Sequence, residues 1–153
     1  MISQKGAILM IEQDTIKLLR ECDAGIKMGV SALDEVMKYT SSEELKSRLL
    51  DGMSENESIK NELQKKLNKY HDDGKEPNPM AKGMSWMKTN VKLSVNESDE
   101  TIAELITDGC NMGVKSICKY LNKYQAADED SKNIAKKLVK YEEKLAVDMR
   151  RFL

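Results

Sequence analysis

Apolar residues recur along this chain in steps of three and four. The first series is Ile16, Leu19, Asp23, Ile26, Val30, Leu33 and Met37. That is the spacing of a helical seam, and Lys, Arg, Glu and Asp fill most positions between its members. Leu45, Leu49, Gly52, Asn56, Ile59, Leu63 and Tyr70 make a second series. Ala103, Ile106 or Thr107, Cys110, Val114, Ile117, Leu121 and Tyr124 make a third, and Ile134, Leu138, Tyr141, Leu145, Asp148 and Phe152 a fourth. Four amphipathic helices are therefore predicted.

Local signals set their ends. Ser41 and Glu44 have the S-x-x-E spacing of a capping box and start the second helix. It should fray around His71-Asp72-Asp73-Gly74. Asp128-Glu129-Asp130 opens the fourth helix and Arg150-Arg151 closes it, both matching the helix dipole. Trp86 to Val95 is helical in character, and Asn96-Glu97-Ser98-Asp99 marks a restart with Ser98 as cap. One helix or two between residues 84 and 125 fits the pattern equally well. Residues 74–83, with both prolines (Pro77 and Pro79), oppose regular structure and form a connector. The expected architecture is all-α: hairpin one over about residues 8–73, the connector, and hairpin two over about 84–153, packed as one antiparallel four-helix bundle.

The two hairpins share a motif. Gly25-Ile26-Lys27-Met28-Gly29-Val30 matches Gly109-Cys110-Asn111-Met112-Gly113-Val114 at four of six positions, offset by 84 residues. Glycine inside a helix costs roughly 1 kcal/mol relative to alanine, so the repeated i, i+4 pair needs a reason. A helix-crossing point is expected there, or room for a ligand or partner backbone. Duplication of a helical hairpin accounts for the placement.

From about Ile16 to the end, the sequence resembles the ferritin-like superfamily, and within it a bacterial family of small ferritin-like proteins with no settled activity. The likeness rests on the glycine- and proline-containing connector leading into Trp86-Met87-Lys88, and on the acidic opening Thr101-Ile102-Ala103-Glu104-Leu105-Ile106-Thr107-Asp108-Gly109. It implies a bundle of two pseudo-repeated hairpins that commonly pairs with a second copy. Enzymes of the superfamily hold two metal ions with a Glu from each of two helices and a Glu-x-x-His from each of the other two. This chain has no Glu-x-x-His: its single histidine, His71, follows Asn68 by three residues. Ferroxidase, oxygenase or peroxide-reducing chemistry of that type is not expected.

Composition narrows the picture further. No run nears the ~20 apolar residues needed to cross a bilayer. The longest, Ala7-Ile8-Leu9-Met10-Ile11, ends at Glu12 and lacks the features of a secretory signal. The 153 residues carry 25 basic and 26 acidic groups, and no basic groove with stacking aromatics is visible, so nucleic acid is a poor partner. Cys22, Cys110 and Cys118 read as buried, reduced thiols of a cytoplasmic protein. Met28, Met37, Met53 and Met112 read as flexible core filling. Lys132, Lys136, Lys140 and Lys144 form an i, i+4 stripe, which is ordinarily a solvated face but also suits an anionic partner.

Three functional expectations follow. The first is a non-catalytic cytoplasmic binding or assembly protein, a homo-oligomer and most simply a dimer, with no cofactor. The second is a divergent metalloprotein with a carboxylate-only site among Asp23, Glu55, Asp108, Glu142 and Asp148, for which a hard divalent ion such as Mg, Ca or Mn is the fitting cofactor. The third is an adaptor using the lysine stripe or the glycine faces.

Overall fold

A computed structural model describes residues 3–77 and 98–153. Among these residues are four α-helices: α1 (Gln4–Met37), α2 (Glu43–Lys69), α3 (Asp99–Lys123) and α4 (Glu129–Met149), with a closing 3-10 turn at Arg150–Phe152. There is no strand among the described residues. The expected helix over 86–95 and residues 78–83 of the expected connector lie outside them.

Each helix begins on a side-chain cap. Ser3, Ser42, Ser98 and Asp128 accept the backbone N–H of the third residue onward. Ser98 and Asp128 fall where the sequence puts them. The second start shifts by one, from Ser41 to Ser42. The cause is a distant partner: both oxygens of the Asp99 carboxylate, at the head of α3, take the N–H groups of Ser41 and Ser42 at 3.0 Å each. Glu44, assigned to the capping box, instead pairs with Arg151.

Those contacts define the topology. The α1–α2 turn and the start of α3 sit at one end of the bundle. At the other end, Asp128 N–H donates to Thr15 Oγ1 at 2.8 Å and Ala126 N–H to Asp14 Oδ2 at 3.0 Å, so the α3–α4 turn sits on the first half of α1. Hence α2 and α3 run in the same direction and every adjacent pair is antiparallel. Around the bundle the order is α1, α2, α4, α3, with α1 and α4 also meeting across the diagonal.

The core follows the predicted seams with shifts at their ends. Leu45, Leu49, Gly52, Asn56, Ile59 and Leu63 are all buried on α2. Leu18, Leu19, Cys22, Ile26, Leu33 and Val36 carry the α1 face. At the end of α4 the buried residue is Met149, whereas Asp148 and Phe152 are only partly covered. Met112 is 70% exposed and fills no core, a departure from its expected role. Cys118 is exposed too, while Cys22 and Cys110 are buried and all three are free thiols.

The outer α2–α4 seam carries an antiparallel ladder of ion pairs. Lys66 meets Asp128, Glu62 meets Lys137, Glu55 meets Lys144, Arg48 meets Asp148 and Glu44 meets Arg151. Exposed pairs contribute at most about 1 kcal/mol each, so the ladder fixes register more than stability.

Candidate functional site

The chemistry-bearing groups inside the bundle gather where glycines leave room. Gly25 and Gly109 face open space, with no atom within 4 Å of a built Cβ. No described helix crosses at these two glycines, contrary to expectation. The second glycine of each motif behaves differently. A Cβ on Gly29 would lie 3.5 Å from Asn56 Nδ2, and one on Gly113 would lie 2.9 Å from Glu142 Oε1. On α2, a Cβ on Gly52 would lie 3.3 Å from Leu145 Cδ1 and 3.7 Å from the Tyr141 hydroxyl. Of the three, only Gly113 stands where a Cβ would collide with a polar side chain, that of Glu142.

Glu142 is the most perturbed of these groups. Burial pushes its carboxyl up to about 7, and a hydrogen bond with the Cys110 thiol pulls it back only in part. The Cys110 thiol is itself raised strongly, first by burial and then by Glu142. Tyr141 is raised by burial, with Glu142, Cys110 and Glu55 adding to the effect. The thiol is thus kept protonated rather than activated as a nucleophile. Asn56 donates to the Ile26 carbonyl at 3.5 Å, and among the described residues its Oδ1 has no hydrogen-bond partner, nor do Thr107 Oγ1 and Ser131 Oγ.

The five carboxylates named from sequence are not brought together. Asp23 is buried and serves a loop: it accepts Lys75 N–H at 3.0 Å and pairs with Lys27 at 2.9 Å. Glu55 and Asp148 belong to the α2–α4 ladder. Asp108 is exposed. Only Glu142 faces the interior polar cluster. Among the described residues no three His, Cys, Asp or Glu side chains converge as a metal-binding group. The donor set does not fit a di-metal centre: one carboxyl raised by burial beside one protonated thiol holds neither the charge nor the number of ligands it needs.

Two surface grooves flank the bundle, and neither is lined by Glu142, Cys110 or Tyr141. One, of about 840 Å³, lies over α4 with α2 and α3 at its sides and collects six lysines. Sequence spacing marked Lys136 and Lys140; the contribution of Lys65 and Lys69 from α2 needed the packing. The other, of about 420 Å³, lies between Ile16, Arg20 and Tyr124.

No protein-family model, curated protein or solved structure matches this chain.

Proposed function

We propose that this chain is a ferritin-like bundle that works by assembly and binding rather than catalysis, and that it pairs with a second copy through the first turns of α1. The reading of the fold is supported by topology. With α2 and α3 parallel, the two hairpins need one long crossover between them, as in ferritin-like bundles. The paired glycine motif favours a duplicated hairpin. Its three free cysteines accord with a reducing, cytoplasmic setting.

One observation carries the assembly reading. The α3–α4 turn is tied to α1 at Asp14 and Thr15, so Gln4–Gln13 continues past it for about 15 Å of helix. There Ile8, Leu9, Met10 and Ile11 are 59%, 55%, 45% and 44% exposed. Ile8 and Ile11 extend the core spacing of Thr15, Leu18 and Cys22 beyond the last of the described helices that covers it. A two-fold pair lets the same apolar stripe serve both partners. A membrane is less suited: no helix among the described residues is long and apolar enough to cross one, and the basic face of an interfacial helix is missing, since this turn holds Lys5 and Glu12.

Sedimentation equilibrium tests it. The native chain should be a dimer, and the variant with Ile8→Ser, Leu9→Gln, Met10→Gln and Ile11→Ser a monomer with unchanged helical circular dichroism. A native chain that stays monomeric, or a variant that stays dimeric, overturns the assembly reading. Native protein that instead floats with lipid vesicles does the same.

A further inference from the structure

The projecting turns of α1 carry more than an exposed apolar stripe. Gln4, Ile8, Ile11 and Thr15 follow one another in steps of four, three and four, the spacing of a coiled-coil seam. Thr15 is buried where the α3–α4 turn meets it, and the other three stand exposed beyond that turn. In heptad terms Gln4 and Ile11 take d positions, and Ile8 and Thr15 take a positions. Each d residue is followed by a charged one at e: Lys5 after Gln4, Glu12 after Ile11. Lys5 and Glu12 are exposed and are the only charged residues between Gln4 and Gln13. They are opposite in sign and lie on the same flank of the seam, two helical turns apart. Neither enters an ion pair among the described residues.

This arrangement separates the two ways in which a second copy can lie along the seam. In a parallel pair e positions face g positions, which here are Ala7 and Asp14, and Lys5 and Glu12 find no opposite charge. In an antiparallel pair the e flank faces the partner's e flank. Lys5 then meets the partner's Glu12, and Glu12 meets the partner's Lys5. The two-fold axis passes between Leu9 and Met10, so Ile8 packs on the partner's Ile11 and Gln4 comes level with the partner's Thr15. The overlap is roughly 16 Å of helix on each copy. It ends at the level where the α3–α4 turn is tied to Asp14 and Thr15, so the pairing uses the whole projection. On the g flank Asp14 already accepts the Ala126 N–H, and antiparallel pairing sets no like charges face to face.

We infer that two copies of this chain pair as an antiparallel coiled coil of their projecting α1 turns, with Ile8 on the partner's Ile11 and Lys5 on the partner's Glu12. This pairing rests on the self-association proposed above and adds its direction and its register. Symmetry gives it two apolar contacts and two ion pairs from one short segment. The apolar contacts hold the pair together, and the charges select the orientation. Leu9 and Met10 fall at b and c, away from the seam.

Sedimentation equilibrium of the full chain and its variants reads the pairing. Lys5→Glu and Glu12→Lys should each raise the dimer dissociation constant by roughly tenfold or more, because each turns both ion pairs into like-charge contacts. The two substitutions together restore complementarity and should return it near the native value. Added salt should narrow the gap between native and singly reversed chains. Leu9→Gln with Met10→Gln should leave the dimer in place, and Ile8→Ser with Ile11→Ser should dissociate it. In a Cys118→Ser background, mild oxidation should link chains carrying Ile8→Cys to chains carrying Ile11→Cys, and neither variant to itself. Circular dichroism separates lost pairing from lost folding. A native chain that is monomeric overturns the assembly reading and this pairing together. A dimer indifferent to both single charge reversals, one lost with Leu9→Gln and Met10→Gln, or one that links Ile8→Cys chains to each other overturns the pairing and leaves the assembly reading standing.

Discussion

Glu142 occupies the space that Gly113 leaves open, its Oε1 lying 2.9 Å and its Cδ 3.0 Å from where a Cβ would stand. Gly109, four residues earlier on the same helix, has nothing within 4 Å. One glycine is required by a neighbour and the other is not. Alanine at an open mid-helix position gains roughly 0.5–1 kcal/mol over glycine. Gly109→Ala, and Gly25→Ala on α1, should therefore raise the urea midpoint. Gly113→Ala has the same propensity gain but must displace the half-buried Glu142 carboxyl, so its stability should fall below that of Gly109→Ala by about 1 kcal/mol or more. Equal effects of the two would show that Glu142 is not held in place.

Asp23 and Gly74 form a second relationship of this kind at the end of hairpin one. Gly74 has φ +85, and a Cβ there would collide with Asp23 Oδ2. The segment is folded by Gly74 N–H donating to Asp72 Oδ1 at 2.8 Å and by Lys75 N–H donating to Asp23. Gly74→Ala combines a left-handed backbone with a clash against a buried carboxylate, and should cost about 2 kcal/mol. Limited proteolysis should then cut after Lys69 or Lys75 faster than in the native chain, and an unchanged cleavage rate would refute the clasp.

The three thiols should separate by reactivity. Cys118 is exposed, whereas Cys22 is buried and its thiol is pushed up to about 12 by burial and by Glu21 and Asp23. Cys110 is held protonated by burial and Glu142. A maleimide at neutral pH should modify one thiol per chain, and peptide mass mapping should place it at Cys118. Denaturant should expose the other two. Rapid native labelling of Cys110 would mean that the interior cluster opens to solvent.

The helices and their inward faces are legible in the sequence because each residue's face follows from its spacing alone. All the α2 seam residues from Leu45 to Leu63 lie where that spacing puts them. What spacing cannot show is whether another helix stands opposite. Ile8 and Ile11 continue the α1 stripe yet stand exposed, because the described α3–α4 turn meets α1 only as far along as Asp14 and Thr15. Met112 is exposed for a related reason: it follows the motif of Met28 but lies on the outer side of α3. Glu142 was one of five scattered carboxylates. Its neighbour on the seam, Tyr141, says nothing of Gly113 and Cys110, which reach it from another helix. The lysine groove was half visible for the same reason, since α4 supplies one row and α2 the other.

Glu142 also makes stability depend on pH in a defined direction. Its folded-state value of about 7 lies above the ordinary 4.5 of the unfolded chain, because burial disfavours the charged form. Between these values the folded state binds more protons than the unfolded one. Its contribution to stability is therefore greatest below about pH 4.5, falls as pH rises toward 7, and levels off above it. The full penalty is on the order of 3 kcal/mol at alkaline pH. Glu142→Gln removes the titrating proton while keeping a polar group of the same shape in the Gly113 space. The stability of this variant relative to the native chain should rise by up to about that amount between pH 4.5 and 8, with a plateau above. Paired urea unfolding curves across that range measure the difference and cancel the other titrating groups. A difference that stays flat with pH would mean that the Glu142 carboxyl is ionised in the native bundle at all of these pH values, and that the pocket left by Gly113 is wet.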